Sequence, residues 1–193
     1  MSVLMRATEI EGRPIVTFAG ERVADVKDVV FDSSKGRLLG FTLRGHSLFS
    51  RTRRDVLSWS KIHSLGRDAV MISDVEAFQG EDALAAEGVP DHRNVIGNRV
   101  LTDAGTDVGK VVDVIIETGP RGAHGGIVGY EVEAAQAMAT HGEHVLIPLP
   151  DAIAISGEHL LVPAGALSFV GNDLSGFGAA VKAFRATLRE GTS

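Results

Sequence analysis

The chain contains no cysteine. Disulfide frameworks, thiolate metal sites, cysteine nucleophiles and thiol redox switches are excluded together, and the composition suits a reducing compartment. Aromatic residues are scarce at 5%, with one Trp and one Tyr, so no series of rings is available to stack successive bases. No stretch reaches the roughly 18 uninterrupted apolar residues of a membrane span, because every apolar run breaks at Gly, Asp or His. The N-terminal MSVLMRATEIEGRP has no apolar core of signal-peptide length, being interrupted by Arg6, Glu9 and Glu11. The expectation is a cytoplasmic, unanchored protein. Net positive charge is also lacking. At −6 the chain disfavours generalised binding to nucleic acid or to anionic membrane, although a local basic patch is not thereby excluded.

Catalytic signatures are missing as well. The serines stand in ordinary turn contexts with no GxSxG elbow, and there is no GxxxxGK phosphate loop. The glycines of GAHGGIVG read as a lengthened turn. The expectation is a protein that is not an enzyme, with no catalytic residues, no metal and no cofactor.

What the chain does contain is glycine, 23 residues in all, placed between short β-branched runs. That is the punctuation of a turn-rich β protein. It also contains a repeat. GRPIVTFAGERVADVKDVVFD (12–32) aligns without a gap on GNRVLTDAGTDVGKVVDVIIE (97–117). The pairs Gly12/Gly97, Thr17/Thr102, Ala19/Ala104, Gly20/Gly105, Val23/Val108, Val26/Val111, Asp28/Asp113 and Val29/Val114 are identical. The likeness continues from LLGFTLR to IVGYEVE, with Gly40/Gly129 and Phe41/Tyr130 in register, across a longer turn in the second copy. Duplication of one unit is the reading that accounts for this.

Each copy holds the same series of short strands: around Ile15–Val16, Val26–Phe31, Leu39–Leu43, Val56–Trp59 and Ala69–Ile72, then their counterparts. Gly20 and Gly105 fall where a short hairpin requires positive φ. Strands this short and this closely spaced predict small closed barrels rather than an open sheet. The fold expected is all-β: two tandem small β-barrels with a short linker helix and a C-terminal amphipathic helix. Boundaries are placed at 5–74 for the first domain, 75–94 for the linker, 95–164 for the second domain and 165–193 for the helical extension. Within the linker, Glu81–Glu87 predicts two helical turns stopped by Gly88 and Pro90. In the extension Ser175 is the expected N-cap and Gly191 the stop. Phe177, Val181, Phe184 and Leu188 share one face, with Lys182, Arg185 and Arg189 opposite. That apolar face predicts packing on its own barrel, on a sister chain or on a membrane.

The succession of apolar pair, Gly turn, VKDVVFD, GFTL, basic hairpin and SWSKIHSLGRDAVMI resembles the PRC-barrel domain. IGNRVLTDAGTDVGKVVDV carries the same resemblance in the second copy. That family includes the cytoplasmic part of the photosynthetic reaction-centre H subunit and the C-terminal half of the ribosome maturation factor RimM. The resemblance implies a β-barrel that docks onto proteins or ribonucleoprotein, and it implies no activity.

The docking candidate is RGHSLFSRTRRD, where Arg44, Arg51, Arg53 and Arg54 gather on one hairpin with Leu48 and Phe49 near its tip. Such a patch on an acidic protein suits an acidic partner surface, a phosphate-bearing ligand or an anionic lipid; a solvated, charge-guarded hairpin is the plainer alternative. An unidentified protein partner is expected. RNA or the ribosome, an anionic membrane surface and a homodimer through the C-terminal helix are the alternatives. HGEH places His141 and His144 at metal-like spacing with Glu143 between and His124 upstream, which a polar turn explains equally well. Asp28 and Asp113 occupy equivalent positions and read as carboxylates accepting turn hydrogen bonds rather than as a catalytic pair. Trp59 and Tyr130 read as packing aromatics.

Overall fold

In the computed structural model, which describes residues 3–32, 35–45, 55–88, 95–119, 125–136, 138, 143–149, 154–156 and 159–190, the β-branched runs form strands in two successive sets. The first set is β1 (Val3–Arg6), β2 (Pro14–Thr17), β3 (Arg22–Asp32), β4 (Arg37–Gly45), β5 (Asp55–Ser58), β6 (Ser64–Leu65), β7 (Val70–Ile72) and β8 (Gln79–Gly80). Helix α1 (Asp82–Glu87) follows. The second set is β9 (Arg99–Thr102), β10 (Asp107–Thr118), β11 (Gly125–Ala134), β12 (His144–Pro148), β13 (Ala154–Ser156) and β14 (His159–Val162), and helix α2 (Leu174–Glu190) ends the chain.

The duplication extends to the irregularities of the sheet. The first curled sheet has the order β7-β2-β3-β4-β5 and the second β14-β9-β10-β11-β12. Each is antiparallel except where its last long strand returns parallel to its first, Ile15 beside Val70 and Val100 beside Leu160. The register of β3 on β4 slips between Val26 and Asp28, and that of β10 on β11 slips between Val111 and Asp113. A bulge of this kind bends the strand and increases its twist, which is how a short sheet curls round on itself. Gly20 and Gly105 take φ of 83° and 79° at the two hairpin turns, and each donates its N–H to the carbonyl of Thr17 or Thr102 at 2.9 Å.

The two sets are joined in a way the repeat does not suggest. Strand β1 leaves the first set and lies antiparallel on β10 of the second, with Val3 opposite Thr118 and Arg6 opposite Ile115. The start of β4 meets the start of β11 at Arg37 and Gly126, and Ile127 donates its N–H to the Gly36 carbonyl at 2.8 Å. Fourteen strands therefore belong to one hydrogen-bonded sheet, and one apolar cluster draws on both sets, from Ile15, Phe41 and Val70 to Val100, Tyr130 and Leu160. Trp59 sits at this junction, edge-on to Phe41 at 6.2 Å. A Cβ on Gly125 would lie 2.8 Å from the Trp59 ring, so only glycine lets the indole lie there.

The two helices repeat one another as well. Leu84 of α1 packs on Val30, Leu39 and Val56 of the first barrel. Phe177 and Val181 of α2 pack on Ile115, Val128 and Leu146 of the second, the three positions that correspond in the alignment and strand register. Beneath each helix is the shared glycine. A Cβ on Gly40 would stand 2.2 Å from the Leu57 carbonyl oxygen and 2.9 Å from a Leu84 methyl. On Gly129 it would stand 2.5 Å from the Phe177 ring and 2.6 Å from the Ile147 carbonyl oxygen. A helix of six residues has no independent stability in water, so α1 is held by this contact.

The face expected on α2 is the one buried. Phe177, Val181 and Phe184 are inside, Leu188 is half-buried, and Phe184 meets Phe169 at 5.6 Å. The expected cap is displaced. The helix begins at Leu174 rather than at Ser175, and it is Asp173 that receives the Gly176 N–H at 3.1 Å and the Ser175 hydroxyl. A carboxylate one position ahead of the helix competes better than a hydroxyl for these amides, because it is charged and meets the positive end of the dipole. The hydrogen bond from Ser175, followed by that from the Gly176 amide, holds the Asp173 carboxyl below its ordinary value. Gly191, the expected stop, lies outside the described residues.

Candidate interaction surfaces

Of the five hairpin residues, Arg44 is described, at the exposed end of β4. Phe49, Arg51, Arg53 and Arg54 lie outside the described residues. Arg44 stands opposite Asp25 in the sheet, and Asp25 is already held in a fork by Arg22, at 2.7 and 2.8 Å. The charge of Arg44 also reaches Asp28. Burial works to raise the Asp28 carboxyl, but the Thr42 hydroxyl at 2.6 Å, the Lys27 ammonium at 3.1 Å and Arg44 together bring it below its ordinary value.

The equivalent aspartates have diverged. Asp28 is exposed, and its register partner across the bulge is Thr42, which donates to it. Asp113 is buried, and its register partner is Glu131. Two carboxylates opposed in a sheet repel each other. The N-terminal segment separates their interactions. Arg6 reaches Glu131 through both Nε and Nη2, while the Thr8 hydroxyl and N–H both donate to Asp113, the amide at 3.3 Å. Asp113 also takes the Val114 amide at 2.7 Å. It does accept backbone hydrogen bonds, as expected, and in addition it fastens the first barrel's leading segment to the second barrel.

That segment is further secured by Arg13, which is buried and donates to the Glu9 and Gly66 carbonyls at 2.7 and 2.5 Å. Burial lowers its pKa against the opposing charges of Glu9 and Asp68. Glu11 lies within the field of both aspartates. Its carboxyl is held above the ordinary value, first by burial and then by the charges of Asp28 and Asp113. His144 is exposed and turns Nδ1 to Glu131 at 3.3 Å, so its place is beside an ion pair. His141 and His124 lie outside the described residues. Tyr130 and Trp59 are buried packing residues, Trp59 at the junction between the barrels.

Residues 3–79 and 90–168 each match the PRC-barrel domain family. The chain belongs to that family. It is a tandem PRC-barrel protein, and the two matches together span most of its length. No curated protein matches it. Among the described residues no helix is long and apolar enough to cross a membrane. The PRC-barrel units account for the repeated strands and bulges; the strand β1 that joins the two barrels was missed in the sequence, because VLMR is short, has no polar alternation and pairs with residues more than a hundred positions away.

Proposed function

We propose that this tandem PRC-barrel protein is a non-catalytic adaptor that docks a partner protein through the basic β4–β5 hairpin. The observation that carries this reading is the filling of both barrels. Their inward side chains, including Ile15, Phe41, Leu57, Val100, Tyr130 and Ile147, are fully buried against one another. Filled interiors favour binding at the outer surface and at the connections between strands, where scaffold folds commonly carry function. Arg44, exposed where β4 gives way to the hairpin, begins the one run of the sequence that combines four arginines with an apolar tip.

The test is affinity capture with the intact chain and with Arg51→Glu/Arg53→Glu/Arg54→Glu, in lysate treated with nuclease and detergent. The adaptor reading expects a partner that survives both treatments and is lost on charge reversal. Equal recovery by both chains would remove the hairpin from consideration. Loss of the partner on nuclease treatment alone would point to RNA, whose binding falls steeply with salt.

A further inference from the structure

The C-terminal helix and the seam between the barrels enclose a basic groove. One lobe, of about 320 Å³, lies between α2 and β1 and is lined by Leu4, Glu117, Val181, Lys182, Arg185 and Arg189. A second, of about 300 Å³, runs over the β3–β4 turn and is lined by Lys35, Arg37, Gly125 and Gly126. The lobes share Glu117 and Arg185, so they form one trough. Among the described residues five cations and one carboxylate, Glu117, line it, and Arg37 has a further carboxylate, Asp32, as its partner, on a chain whose net charge is −6. Lys182 and Arg189 are exposed, as is Lys35, while Arg37 stands 4.0 Å from Asp32. The dipole of α2 gives a reason for cations in its last turns. It gives none for Lys35 and Arg37, which come from the other barrel.

We infer that this groove docks an extended acidic peptide segment of a partner protein. Excess positive charge selects an anion, and its distribution selects the kind. Lys182 and Arg189 alone are separated by about 10 Å along the helix at 1.5 Å per residue. The charges are strung along a channel instead of converging on a point, as a single phosphate would need. Among the described residues no aromatic side chain lines either lobe, so nucleobases find no stacking platform there. A trough between a helix and a strand edge is concave, which a bilayer surface does not match. Half-buried Leu4 in the wall of the first lobe offers an apolar contact for a side chain between acidic ones. None of the groove residues belongs to the arginine-rich run 44–54, and the two docking proposals stand or fall independently.

The experiment is fluorescence anisotropy of a labelled glutamate-rich peptide with the intact chain. The same titration is run for Lys182→Glu/Arg189→Glu, for Lys35→Glu, and for the hairpin triple variant, with folding checked by circular dichroism. The expected result is binding that weakens about tenfold in the helix variant, weakens also in Lys35→Glu, is screened by salt, and is unchanged in the hairpin variant. Because Lys35 is on a different element, its variant still tests the groove if the helix variant misfolds. Inorganic phosphate should not displace the peptide. Absence of peptide binding, or binding indifferent to both groove variants, overturns the proposal. So does tighter groove-dependent binding of an oligouridylate of equal charge or of phosphatidylserine vesicles.

Discussion

At the scale of single residues, the second barrel shows how a repeat diverges without losing its frame. Position 42 is a threonine that donates to Asp28, and its counterpart is Glu131, which cannot donate to Asp113. The cost of that change is met by Arg6 and Thr8, whose donors take one carboxylate each. The glycines show the opposite case, in which nothing can change. Gly129 needs no special backbone angle; its constraint is the Phe177 ring and the Ile147 carbonyl lying where a methyl group would be. Gly129→Ala should therefore destabilise the chain by about 1–3 kcal/mol, the usual range for overpacking. Urea denaturation would show it as a lower midpoint at constant slope. A change at Gly165, where a Cβ meets nothing within 4 Å, is the matched control and should leave the midpoint near wild type.

At the scale of elements, α1 and α2 are the same device at different lengths, each laid over the shared glycine of its own barrel. The face of α2 was legible in the sequence because apolar residues recurring with helical spacing leave a clear stripe, whereas α1 was legible only as two turns stopped by Gly88 and Pro90. The longer strands were legible because their β-branched runs end at glycine turns. Strand β1 was not, and neither was the parallel return of β7 and β14, since pairing partners distant in sequence leave no local pattern. The basic groove was divided in the sequence among a strand turn and a helix face, and only the folded seam brings them together. Strand β1 also has a measurable anchor. Arg6→Ala leaves the buried Glu131 without its main partner, a loss of about 1–3 kcal/mol for an uncompensated buried acceptor. Native-state hydrogen exchange should then find the amides of Val3–Arg6 exchanging faster by about tenfold or more, with the centre of β10 and β11 little changed. Unchanged protection of β1 would mean that its backbone pairing holds it without the ion pair.

At the scale of the whole molecule, the two PRC-barrel units are built as one body. Strand β1 belongs to the first copy in the chain and to the second in the sheet, β4 meets β11, and Trp59 closes the seam. The chain supplies its own probes, since its one tryptophan lies in the first barrel and its one tyrosine, Tyr130, in the second. The most direct test is equilibrium unfolding in urea, followed at once by Trp59 fluorescence and by the fluorine resonance of a fluorotyrosine at position 130. A single body predicts coincident transitions with one midpoint and one slope. Two separated midpoints would contradict it, and would mean that the barrels fold as independent beads that merely touch.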